Sequence, residues 1–266
     1  RYMSSICLSD QLHSLLFMSD FLSPTGQPTI ELYGLPIMEP MVTFTDLWIT
    51  LVCLYAFFSL RKKKLSGRIH RYMRYYFLIM GIATFLGGVL GHAFQYAVGI
   101  EWKLPGWLIS MIAVMAIERA SIFQAQPFFS SHLGLALEWF NVIELITFAV
   151  ISFITLNFFF IKVHSAYGLG LVVLPLHIIM FRKTGHPMHL VFIRTIFFAG
   201  LSAVFYTLEI GIHLWFNHLD VAHTIMAISM YFFYRGTLFL DPTMPRRLLD
   251  KPLSFSETGS AILGLR

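Results

Sequence analysis

Charge is scarce in this chain. Asp, Glu, Lys and Arg make up 12% of its 266 residues, against about 25% in an ordinary soluble domain. That shortage excludes the usual solvated globular surface. Cysteine is scarcer still: the 2 present, Cys7 and Cys53, lie far apart with no CxxC or Cys/His spacing, which argues against a disulfide framework and a thiolate metal site. The strict alternation of a membrane β-barrel is missing, so backbone polar groups in lipid have to be satisfied within helices. There is no internal repeat, no low-complexity tract, and no Ser-, Gly- or Pro-rich linker to mark off a second domain.

What remains is apolar. Hydrophobic residues make up 57% of the chain, and the mean hydropathy is +0.70. A hydrocarbon core of about 30 Å takes roughly 20 apolar residues per helix, and seven stretches fit, at about 44–60, 75–98, 105–125, 138–161, 165–181, 190–216 and 219–239. The expected fold is an all-α membrane protein, a seven-transmembrane-helix bundle. Its expected parts are an extramembrane segment over 1–43, the helical domain over 44–240 and a tail over 241–266. The patch "LHSLLFM" is interrupted by Asp20 and lacks a small-residue cleavage site, so a signal peptide is not expected there.

The net charge of +5 is concentrated in "RKKKLSGRIHRYMR" (61–74), "RKTGH" after the fifth stretch, and "RR" with Lys251 after the seventh. With seven spans these fall on one side, so the positive-inside rule predicts an outer N-terminus and a cytoplasmic C-terminus. Basic loops beside spans are suited to anionic lipid headgroups, and no nucleic-acid partner is expected. Pro175 should interrupt the fifth helix.

With that orientation, depth follows from the 1.5 Å rise per residue: His92 sits roughly 9 Å below the outer boundary, and Glu209 and His213 about 5–12 Å below it. Asp220 and His223 open the seventh helix at the same level, bordered by Asp46 and Glu101. Glu209 with His213 (i,i+4) and Asp220 with His223 (i,i+3) would each share a helix face, while His218 belongs to the "FNHLD" turn. A second polar layer comprises Glu118, Arg119, Glu138, Asn141, Glu144, His177 and Arg194. It serves either to hold the bundle together or to carry a proton or ion.

Three histidines near carboxylates at membrane depth suit zinc, whose bound water becomes a nucleophile near neutral pH. The metal candidates are His92, His213, His218 and His223, and the acid–base or orienting candidates are Glu101, Glu209 and Asp220. Haem held by two histidines from different helices is the alternative cofactor. A non-catalytic receptor, or a subunit of a larger membrane assembly with protein partners, is the alternative class.

The late helix 2 histidine, His92, the acid nine residues on, Glu101, and "HLDVAHTIMAISMYFFY" opening helix 7 resemble the superfamily of alkaline ceramidases and progestin/adipoQ-type receptors. The resemblance implies a zinc ion on three histidines hydrolysing a lipid amide, with His92 as the helix 2 ligand and Glu101 standing for the family's aspartate. Three positions depart from that pattern. His218 and His223 are spaced HxxxxH rather than HxxxH, Ala227 stands where a histidine four residues after His223 would fall, and Gly88 replaces the serine four residues before His92.

Overall fold

The computed structural model describes residues 23–240 except 24, 64 and 66; the tail over 241–266 and most of the N-terminal segment lie outside the described residues. The chain is almost wholly helical: α1 Pro40–Lys62, α2 Arg68–Ala93, α3 Lys103–Ala125, α4 Ser131–Thr155, α5 Phe158–Thr184, α6 Pro187–Thr207 and α7 His218–Leu238. Helices α1 to α6 are each long and apolar enough to cross a membrane, the α3 span being extended at both ends by short 3₁₀ turns. These six make the chain multi-pass in character. Helix α7 is 21 residues long, but His218, Asp220, His223 and Arg235 dilute its apolar run.

Helix boundaries follow capping chemistry more than hydropathy. Helix α2 begins at Arg68, seven residues before the apolar run, because Arg68, Arg71 and Arg74 extend long stems at a helix end without breaking it. Asn157 caps α5 through Phe159 N, dividing what reads as continuous apolar sequence between 138 and 161. Helix α6 stops at Thr207, well short of the expected 216, and Glu209 then adopts a left-handed conformation at φ 52. The chain turns through a bridge between His213 and Phe216 before Asn217 caps α7. Pro175 stands just after a π-helical segment, Gly168–Val173, so the wide turn falls beside the residue that cannot donate a backbone bond.

Helix α1 packs between α2 and α7, α2 against α3, and α6 against α7; α4 lies outermost, against α3 and α5. The core is aromatic and sulfur-rich, with Tyr76 and Phe192 both edge-on to Phe233 at 5.5 and 5.8 Å and with Met73, Met111 and Met230 fully buried. Gly88 brings α2 onto α1: a Cβ there would stand 3.0 Å from Asp46 Cβ and 3.3 Å from the Thr43 carbonyl.

A small hairpin, β1 (Ile30–Leu32) and β2 (Leu35–Ile37), precedes the bundle, with Tyr33 and Gly34 at positive φ forming its two-residue turn. The segment before α1 is therefore folded against the bundle over part of its length. Met38 N donates to the Ala93 carbonyl at the end of α2, and the Gln27 side chain reaches Asp220 of α7.

Candidate functional site

The polar residues at the end where α1 and α7 begin form one connected cluster. Glu39, the residue before α1, is 1% exposed and accepts from Thr25 Oγ1 at 2.5 Å. Its other oxygen lies 2.5 Å from His92 Nδ1. Burial pushes the Glu39 carboxyl up, but the bond and charge of His92, with bonds from Thr25 and Ser23, outweigh it and hold the group at about 2. His92 lies in the π-helical end of α2, Gly87–Ala93, and its Nε2 is 3.8 Å from Asp46 Oδ2. The wider turn re-aims a side chain that a regular helix would direct elsewhere.

Asp46, one turn and a half into α1, is the hub. Its Oδ1 lies 3.6 Å from His223 Nδ1, so one carboxylate faces both imidazoles. The rings stand 6.3 Å apart, centroid to centroid, at 72°. Thr45 Oγ1 is 3.2 Å from His223 Nδ1, and the Lys103 charge acts on both Glu39 and Asp46.

Gln27 and Asp220 hold this arrangement in place. Asn217 N donates to Asp220 Oδ2 at 2.8 Å, and the Asn217 side chain accepts from Leu219 N and Asp220 N in a reciprocal capping box. Gln27 Nε2 donates to the same Asp220 oxygen at 3.0 Å, while its Oε1 accepts from Met41 N and Val42 N at the start of α1. One amide thus ties two helix N-termini together and satisfies donors that α1 leaves unpaired.

Of the residues singled out from sequence, the structure brings together His92, His223, Asp220 and Asp46, which sequence placed only at the border of their level. Glu209 and His213 do not share an inward helix face: both are exposed in the turn after α6, and His213 Nδ1 accepts from Trp215 N. A helical i,i+4 relation needs a helix, and α6 ends before either residue. His218 is the first residue of α7 and lies against the Tyr206 ring at 6.0 Å. Glu101 is exposed in the 3₁₀ turn Ile100–Trp102, and the carboxylate that faces the imidazoles is Asp46 from α1 instead.

The donors present are the ones zinc takes: two imidazoles and a carboxylate. Ligand atoms around one tetrahedral zinc at 2.0–2.1 Å lie roughly 3.3 Å apart. The two Asp46–imidazole separations, 3.8 and 3.6 Å, exceed that by a few tenths of an ångström. The third edge is open: no three donors of this cluster, among the described residues, stand within 4.8 Å of one another.

In the middle of the bundle the second polar layer is also connected. Arg119 donates to Asn141 Oδ1 at 2.9 Å and to the Glu138 carbonyl at 2.8 Å, and Asn141 Nδ2 donates to Glu118 Oε2 at 3.1 Å. His177 lies instead with Ser121 and His189, its Nδ1 3.1 Å from that of His189.

No curated protein and no solved structure matches this chain. A family profile does match, over residues 41–242, which takes in α1 to α7 with Asp46, His92, Asp220 and His223 but starts after Gln27 and Glu39. By that match the chain belongs to DUF6962, a family of unknown function.

Proposed function

We propose that this chain is an intramembrane zinc-dependent hydrolase acting on a lipid amide or ester, with His92, His223 and Asp46 as the metal-holding residues. The observation that carries the reading is the single buried carboxylate facing imidazoles from two other helices. Two imidazoles with a carboxylate are an established catalytic zinc set, and zinc so held supplies Lewis acidity and a nucleophile available near neutral pH. This ligand set takes Asp46 as the third donor in place of His213, exposed in the turn after α6, or His218, which lies against the Tyr206 ring. Asp46 beside both rings also favours a dication over haem, since a porphyrin edge needs an apolar slot.

The remaining residues do the positioning. Glu39 binds His92 Nδ1 and so fixes which nitrogen is presented to the site, the usual work of an outer carboxylate on a ligating imidazole. Asp220, saturated by Asn217, Gln27 and Thr45, holds the first turn of α7 and thereby His223. Lys103 offers a cation to charge developing on a carbonyl oxygen. A seventh span by α7 and an outer N-terminus complete the reading. The basic residues at the ends of α1, α5 and α7 and at the start of α2 all lie away from the His92 end.

The test is zinc content and lipid-amide turnover of the purified chain, with His92→Ala and His223→Ala beside it. Zinc whose retention depends on both histidines, with turnover lost in both variants, is the expected result. Zinc retention unaffected by either substitution would remove the proposal. The cluster would then stand as a hydrogen-bonded clasp between α1, α2 and α7 in a non-catalytic receptor or subunit.

A further inference from the structure

We infer that Glu118 of α3, Glu144 of α4 and His164 of α5 form a second site, inside the bundle, for one divalent transition-metal ion. Each offers one donor atom, and these atoms all lie within 4.8 Å of one another. Glu118 and His164 are fully buried, and Glu144 is 6% exposed. Nothing in this group completes its own hydrogen bonding. Glu118 Oε1, both carboxylate oxygens of Glu144 and both ring nitrogens of His164 are buried without a partner, although His164 Nε2 and Glu144 Oε2 are 3.5 Å apart.

Unpartnered buried atoms on all three residues, with one donor from each within 4.8 Å of the other two, make an arrangement that a single cation would satisfy. Two carboxylates and an imidazole match borderline ions of the zinc, manganese and iron(II) kind, whereas calcium and magnesium favour oxygen alone. A divalent ion would cancel the charge of two carboxylates that the membrane interior opposes.

The surroundings are shaped for this approach. Asn141, itself held by Arg119, donates to the other oxygen of Glu118 and leaves Oε1 buried without a partner beside Gly168. Gly168, where α5 becomes π-helical, is in contact with Glu118: a Cβ there would lie 2.9 Å from Glu118 Cδ and 2.7 Å from Val114 Cγ1. Only a residue without a side chain lets α5 come this near to α3. The π-helical segment that begins at Gly168, four residues after His164, is the kind of local irregularity that recurs at binding sites.

The experiment uses the full chain carrying His92→Ala and His223→Ala, so that metal at the other cluster does not contribute. After chelator treatment the protein is incubated with zinc or manganese alone, desalted, and its metal content measured. About one equivalent is expected, falling at least tenfold when Glu144→Gln or His164→Ala is added. The Glu118→Gln/Glu144→Gln pair guards against misfolding, because neutral isosteres relieve buried charge; it should remain monodisperse and lose the rise in thermal midpoint that manganese gives its parent. No metal in the parent, or metal retained undiminished in the Glu144 and His164 variants, would overturn the site.

Discussion

Glu39 precedes the first span, yet it is the residue through which His92 is set. Its carboxylate has two assignments, one oxygen for Thr25 and one for His92 Nδ1. Glu39→Gln keeps the shape and the Thr25 contact but removes the charge that orients the ring. Loss of such an outer carboxylate typically weakens metal binding about 10- to 100-fold. Competition titration of zinc against a chelator should show a fall of that size with the thermal midpoint little changed. Asp46→Asn should cost more, since that carboxylate faces both imidazoles. Equal zinc affinity in all three proteins would mean that the two carboxylates serve only to pair charge.

At the scale of elements, the sharpest constraint is where α1 meets α2. Gly88→Val places a branched side chain against Asp46 Cβ and the Thr43 backbone carbonyl, the latter unable to yield, and overpacking of this sort costs about 1–3 kcal/mol. Thermal unfolding in detergent should register it, and the Asp46–His92 pair should separate with it. Asn217→Ala removes the α7 cap, worth about 1 kcal/mol, and leaves Asp220 less firmly held. The helices themselves were legible in the sequence because continuous apolar runs admit no other structure in lipid. Their ends were less so: Asn157 and Asn217 act through one and two side-chain bonds to backbone N–H groups, which hydropathy does not register. His92, Asp220 and His223 could be placed at one depth from spacing alone. Asp46 as hub, Gln27 as tie and the approach of His164 to Glu144 depend on helix rotation and on contacts between distant segments, which spacing leaves free. Glu209 and His213 show the converse error, a helical periodicity read through a turn.

At the scale of the whole molecule, the two polar centres occupy different parts of the bundle. One joins α1, α2 and α7 at the end where α1 begins; the other joins α3, α4 and α5. For the proposed hydrolase, the side on which the first centre lies would decide which leaflet supplies a substrate, and the basic residues address that point. Arg61, Lys62 and Lys63 close α1, Arg68, Arg71 and Arg74 open α2, Arg182 and Lys183 close α5, and Arg235 lies in the last turn of α7. With the helices alternating in direction, every one of these groups lies at the end away from His92. Lys and Arg within short loops govern orientation, so this end should face the cytoplasm and the Glu39–His92–Asp46–His223 cluster the outer side. A membrane-impermeant thiol reagent tests this in intact cells, on a chain whose native cysteines are replaced and which carries one new cysteine at Lys63 or at His213. Labelling at His213 and protection at Lys63 until the membrane is permeabilised is the expected pattern. The reverse pattern would put the candidate catalytic end in the cytoplasmic leaflet. Labelling of both sites in intact cells would show that an odd number of spans does not separate Lys63 from His213, contrary to a bundle in which α2 to α6 all cross.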